Sequence, residues 1–111
     1  MQSIGSSAEK AELAQAERFC REKLVFYQAN GNKEGVADCL WTLGKIASAQ
    51  SDMTRSITLL SAALDAATEL GSSDVELISV DLAYARRARG SLESTPTVPL
   101  EQAVRIALQP A

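Results

Sequence analysis

The chain has no histidine among its 111 residues, which removes the commonest general base. It carries no Gly-rich phosphate loop, no Gly-x-Ser-x-Gly elbow and no cluster with metal-ligand spacing. The carboxylates Glu12, Glu17, Asp65 and Glu69 fall on polar helix faces, where charged residues are ordinary solvated surface. The expectation is a protein that catalyses no reaction and holds no cofactor or metal.

Cys20 and Cys39 are the two cysteines. Both lie inside apolar helical patterns, where a reduced thiol behaves as a small hydrophobe. A disulfide stays open as an alternative, because the two positions would lie at similar height on adjacent antiparallel helices. A redox or catalytic role would need accessible thiolates. Without a Cys-x-x-Cys pair, a zinc site is not expected.

Arg86, Arg87 and Arg89 crowd the end of one helical segment, where cations complement the helix dipole. Docking of an acidic segment is the functional alternative for this cluster. The net charge of −3 gives no electrostatic reason to wrap a nucleic acid or adhere to anionic lipid. No apolar run approaches the roughly 20 residues of a membrane span. Met1 to Ser7 lacks the basic start and apolar stretch of a secretory leader and reads as a lead-in. Together these point to a cytoplasmic protein without nucleic-acid or membrane partners.

The elements that position these residues are all helical. Hydrophobic residues make up 46% of the chain, aromatics only 5%, and there are 3 prolines, a balance that favours helices over strands. The first helix is expected over residues 8–29, capped by Ser6 with Glu9 completing a capping box. Leu13, Ala16, Cys20, Leu24 and Tyr27 form its apolar face. Asn30-Gly31-Asn32 ends it. The second helix is expected over 33–50, with Val36, Cys39, Leu40, Leu43, Ile46 and Ala47 facing inward. The third, over 52–70, is capped by Ser51 or Asp52, faces inward with Met53, Ile57, Leu60, Leu64 and Ala67, and ends at Gly71. The fourth, over 74–89, opens with Ser73 and Glu76 as a second capping box, buries Val75, Ile78, Leu82 and Ala85, and ends at Gly90. A loop is expected over 91–98. A short last helix over 99–111, carrying Leu100, Ala103, Val104, Ala107 and Leu108, is expected to complete the final helix pair.

Displacing the chain by 40 residues overlays it on itself. Ala16 then meets Ser56, Phe19 meets Leu59, Cys20 meets Leu60, Leu24 meets Leu64 and Gly31 meets Gly71. After one deletion, Val36, Leu43 and Gly44 correspond to Val75, Leu82 and Ala83. Two helices per repeat at this period mark an α-solenoid, whose units bury their faces by stacking.

The stretch from Ala37 to Thr68 resembles a tetratricopeptide repeat. Leu40-Trp41-Thr42-Leu43-Gly44 is similar to the signature of the family's first helix. Ser51-Asp52-Met53 is similar to its Gly-Asp-Tyr turn. Ser56, Leu60 and Ala63 stand at the small, large and small packing positions of its second helix. The signature Tyr of the first helix is absent, Ser56 replaces the common Ala, and Thr68 stands where Pro often closes the unit. The long second helix ending in Glu69-Leu70-Gly71 resembles the 40-residue variant of large bacterial signal-responsive regulators.

The resemblance implies an all-α solenoid of antiparallel helix pairs over residues 8–90, about five helices with the short one over 99–111; a four-helix bundle is the alternative. It also implies a concave groove that binds a peptide or helix of a protein partner. Asp38, Trp41, Lys45 and Ser48 would face inward from one unit, and Leu77, Val80, Tyr84 and Arg87 from the next. Trp41 is either an aromatic anchor in that groove or a ring filling a gap beside Ala37, Gly44 and Ser48. Lys45 and Arg87 alone do not make the basic clamp by which some relatives hold a terminal carboxylate. In the alternative, scaffolding reading the repeats only stack, and no ligand enters the groove. Phe19, Val25, Phe26 and Tyr27 give the first helix more apolar girth than one face requires, so a second copy or another domain is expected to cover it.

Overall fold

Three short connections of nearly identical geometry organise the chain. At each, a residue just past a helix takes a left-handed backbone: Gly31 at φ 66°, Ser51 at φ 66° and Gly71 at φ 68°. The next amide in each case bonds back across the last turn. Asn32 N–H donates to Tyr27 O, Asp52 N–H to Ala47 O and Ser72 N–H to Ala67 O, each at 2.9 Å. This is the Schellman closure, repeated at 20-residue intervals. Connections this short fold consecutive helices into antiparallel hairpins.

The computed structural model describes residues 7–90 and 98–109. These form α1 (Ser7–Ala29), α2 (Lys33–Ala49), α3 (Met53–Leu70), α4 (Val75–Arg89) and α5 (Leu100–Leu108), with no strand among the described residues. The expected Ser6 cap and most of the expected 91–98 loop lie outside the described residues. The bounds of α1 to α4 agree with the sequence expectations to within a residue, whereas α5 ends at Leu108 and the last two residues of its expected 99–111 span lie outside the described residues.

The caps agree less well. Asp52 caps α3, its carboxylate accepting the Arg55 N–H at 3.2 Å. Asn32, which the sequence placed only in a turn, caps α2 by accepting the Gly35 N–H at 3.0 Å. The Ser73–Glu76 capping box does not form. Asp74 stands at the N-cap of α4 without a side-chain bond to the helix, and its own N–H donates to Ser72 Oγ at 3.0 Å. A tight turn held by Ser72 shifts the start of the helix past Ser73.

α3 is the hub. It packs along α2 and α4 and also touches α5. Ile57, Leu59, Leu60, Ala63 and Ser56 on it are fully buried, so the apolar stripe read from the sequence covers only part of its buried circumference. α2 and α3 approach closely at Gly44, where an added Cβ would stand 2.7 Å from Cγ and Cδ2 of Leu60. Ser56 Oγ donates to the Gly44 carbonyl at 2.8 Å, and Ser48 Oγ lies 2.9 Å from Ser56 Oγ. The serine that departs from the tetratricopeptide pattern thus has a use: its hydroxyl satisfies a buried carbonyl that an alanine would leave to the helix ladder alone.

α1 packs on α2 and, lightly, on α5; α4 packs on α3 and meets α2. α1 touches neither α3 nor α4 among the described residues. Ala16, expected on the buried face of α1, is exposed, whereas Cys20 and Leu24 are buried and Leu13 and Tyr27 pack half-buried against the core.

α5 departs from expectation. It makes no contact with α4 and packs on α3, α2 and α1 instead, burying Ala103, Val104 and Ala107. It does not complete the last helix pair. Two arginines hold its C-terminal end. Arg21 Nε and Arg55 Nη2 each donate to Ala107 O at 3.2 Å, and both side chains also reach Gln109 O, at 2.9 and 3.2 Å. These carbonyls have no partner within the helix, and cations at this end also oppose its dipole.

Candidate functional site

Trp41 projects from α2 toward α4, one position off the Leu40–Leu43 row that packs on α3. Its ring is half-buried and touches both hydrophobic clusters, one centred on α1, α2 and α3 and the other on Ile57, Leu60, Leu82 and Ala85. The indole Nε1–H donates to Asp81 Oδ2 at 2.7 Å. Lys45, one turn further along α2, places its ammonium 4.7 Å from the centre of the Trp41 ring, within cation–π range. The ring therefore wedges α2, α3 and α4 together, and part of it stays at the surface.

A cleft opens on each side of this bridge. The first, about 260 Å³, has Ala37, Trp41, Ala67, Leu70 and Ile78 as apolar wall and Glu34, Asp38 and Asp74 as polar members. Three carboxylates and no basic residue line it. The second, about 280 Å³, is lined by Lys45, Ser48, Ala49, Leu60, Asp81 and Tyr84. The two clefts, separated by the Trp41–Asp81 bridge, make up a divided channel between α2 and α4, acidic at the start of α2 and mixed in charge at its end.

Four of the seven expected contact residues, Asp38, Trp41, Lys45 and Tyr84, line this channel, as does Ser48. Leu77, Val80 and Arg87 line neither cleft and are exposed on α4. They lie on the side of α4 turned away from Ile78, Leu82 and Ala85, so the channel does not gather them. Sequence reasoning missed Asp81. The signal was its place on the row Ile78-Asp81-Ala85, which put a carboxylate at the edge of a buried stripe.

No protein-family model matches the chain, and no curated protein or solved structure shows significant similarity to it. The residues and their arrangement are what the functional reading rests on.

Neither cysteine belongs to the channel. Both are buried free thiols. Burial pushes the Cys39 thiol up to about 11, with the neighbouring Cys20 adding to the effect. Burial raises Cys20 as well, against a smaller opposing pull from Lys23. Thiols held protonated in this way are poor nucleophiles. No helix among the described residues is long and apolar enough to cross a membrane.

Proposed function

We propose that the protein is a non-catalytic interaction module, a tetratricopeptide-like array whose α2–α4 channel binds a peptide or helix of a partner protein. The observation that carries this reading is the Trp41–Asp81 bridge, with an open cleft on either side lined by apolar surface and charge. Partly exposed aromatic and charged side chains in a concave site are the residue types that dominate binding energies. The carboxylates Glu34, Asp38 and Asp74 favour a partner carrying lysine or arginine beside an apolar anchor.

The packing pattern supports an array over a closed bundle. In an up-down bundle the first and fourth helices touch; here α1 reaches neither α3 nor α4, and α2 meets α4 across their hairpins. The evenly spaced left-handed residues at 31, 51 and 71 support a repeated helix unit. A place within a larger bacterial regulator remains part of this reading on the strength of the sequence resemblance, and buried free thiols fit a reducing cytoplasm.

The test uses the single tryptophan. Peptides selected from a random display library on the immobilised protein are titrated while Trp41 emission is followed. The expected peptides are basic and apolar, shift the emission, and lose at least tenfold in affinity against Asp38→Ala and Tyr84→Ala. Selection of nothing, or of peptides indifferent to both substitutions, sinks the reading.

A scaffold without a groove ligand is the second reading, and the same hydrogen bond favours it. An indole already satisfied by Asp81 needs no ligand. Blue-shifted emission that no selected peptide moves would establish that alternative.

A further inference from the structure

α5 sits in the fold as a bound helical ligand would. It follows α4 in sequence but lies on the opposite side of α3. Ile57 of α3 clusters with Leu82 and Ala85 of α4. Ala66, two and a half turns further along α3 and so half a turn round, lies beside Leu100 of α5. Arg55, Leu59, Ala62 and Ala66 share this side of α3 at helical spacing. Leu100 meets the far end of that row and Ala107 O the near end, at Arg55, so α5 runs antiparallel to α3. Its nine residues are too few for a stable isolated helix, which needs about 12–15 in water. The helical form of α5 therefore depends on its seat.

The seat uses features that many helices share. Arg21 and Arg55 grip backbone, the carbonyls of Ala107 and Gln109. The buried side chains Ala103, Val104 and Ala107 are small or branched. With Leu100 they fall at i, i+3, i+4 and i+7, the pattern of a helix laid in a groove. At the start of α5 the fit is incomplete. Pro99 gives the helix no side-chain cap, and an open cleft of about 180 Å³ remains between Leu100 and the alanines 62 and 66 of α3, with Asp65 and Glu69 beside it.

We infer that the groove between α1 and α3 is a docking site for a short amphipathic helix of a partner protein, and that α5 is its tethered, autoinhibitory occupant. The partner helix carries small apolar residues at the spacing of Ala103 and Ala107. It carries a side chain larger than leucine at the position of Leu100, where the cleft has room. A basic residue just before that position faces Asp65 and Glu69. The partner enters by displacing α5, and Arg21 and Arg55 hold its last carbonyls in turn. Its apparent affinity is reduced by the fraction of molecules in which α5 is seated. This site is separate from the peptide channel: no residue of α5 lines either cleft beside Trp41, so one site can fail while the other stands.

The probes are a synthetic peptide of residues 98–111 and a second form of it carrying Val98→Arg and Leu100→Phe. Each is titrated by fluorescence anisotropy into the full chain, wild type and Val104→Asp, whose own α5 seats poorly. Circular dichroism checks the fold, and Ala103→Pro is the reserve variant. Val104→Asp is expected to bind the natural peptide at least tenfold more tightly than wild type does, and the substituted peptide at least fivefold more tightly again. Adding Arg55→Met to Val104→Asp is expected to weaken binding at least fivefold. In the isotope-labelled wild-type chain, saturating peptide is expected to speed amide exchange from Val104 to Ala107, a measurement that needs no variant. No binding to Val104→Asp, or equal binding by wild type and variant, overturns the inference. So does a bound peptide that leaves exchange in α5 unchanged or is indifferent to Arg55→Met. A substituted peptide no tighter than the natural one overturns the partner assigned to the cleft.

Discussion

The indole N–H of Trp41 and the carboxylate of Asp81 meet at 2.7 Å across two helices that otherwise barely touch. This bond sets the spacing of α2 and α4 and divides the channel between them. Asp81→Ala is expected to cost about 1.5–3 kcal/mol, the range for hydrogen bonds to charged groups, and Asp81→Asn less, since an acceptor remains. Urea unfolding gives the stabilities, and the emission of Trp41 in the folded variants reports whether the ring has moved.

Ser51 holds a left-handed backbone at φ 66° where the two equivalent connections use glycine. That conformation costs a non-glycine residue about 1–2 kcal/mol, against about 0.5–1 kcal/mol of chain entropy lost by a glycine. Ser51→Gly is therefore expected to stabilise the fold by roughly half to one kcal/mol. Ser51→Val should destabilise it, and the pair compared by thermal unfolding checks the sign.

Gly44 is the close-approach point of α2 on α3. Alanine has the better helix propensity by about 1 kcal/mol. Its Cβ would meet the Leu60 side chain at 2.7 Å, and overpacking costs typically 1–3 kcal/mol. Gly44→Ala is expected to lose about 1 kcal/mol net, and a double-mutant cycle with Leu60→Ala should show strong coupling. Additive losses in that cycle would refute the contact.

Native Cys39 should react with iodoacetamide only as fast as the protein opens, and labelling should accelerate with urea in step with unfolding. Its thiol ionises near 11 in the folded chain against 9.0 in an ordinary environment. The unfolded state therefore loses its proton first. The stability due to this group is complete below pH 9 and is lost as pH rises from there through 11. Cys39→Ala should flatten the decline over that window.

Arg55→Met removes half of the grip on the end of α5. Faster amide exchange at Val104 to Ala107 is the expected outcome, with exchange in α2 unchanged. Arg21→Met should do the same, and it also frees Glu17, which pairs with Arg21 at 2.8 Å. Unaltered exchange in both variants would show that apolar packing alone seats α5.

Helix identity and extent were legible because they depend on local information. Apolar rows at three- and four-residue spacing placed α1 to α4, and Gly31, Gly71 and Gly90 marked three ends through their freedom at positive φ. The buried rows of α2 and α4 were equally plain. Four channel residues, Asp38, Trp41, Lys45 and Tyr84, followed from the positions that the resemblance to a helical repeat turns inward. Tertiary structure decided what periodicity cannot encode, namely which helix lies beside which. α5 carries an apolar face that any neighbour would satisfy; it packs that face on α3, α2 and α1 instead of α4, where its last carbonyls also meet Arg21 and Arg55, 86 and 52 residues distant from Ala107 in sequence. Asp81 became part of the site for the same reason. A carboxylate at the rim of a stripe is unremarkable until another helix brings an indole N–H within bonding distance, and that approach is a property of packing, not of spacing along the chain.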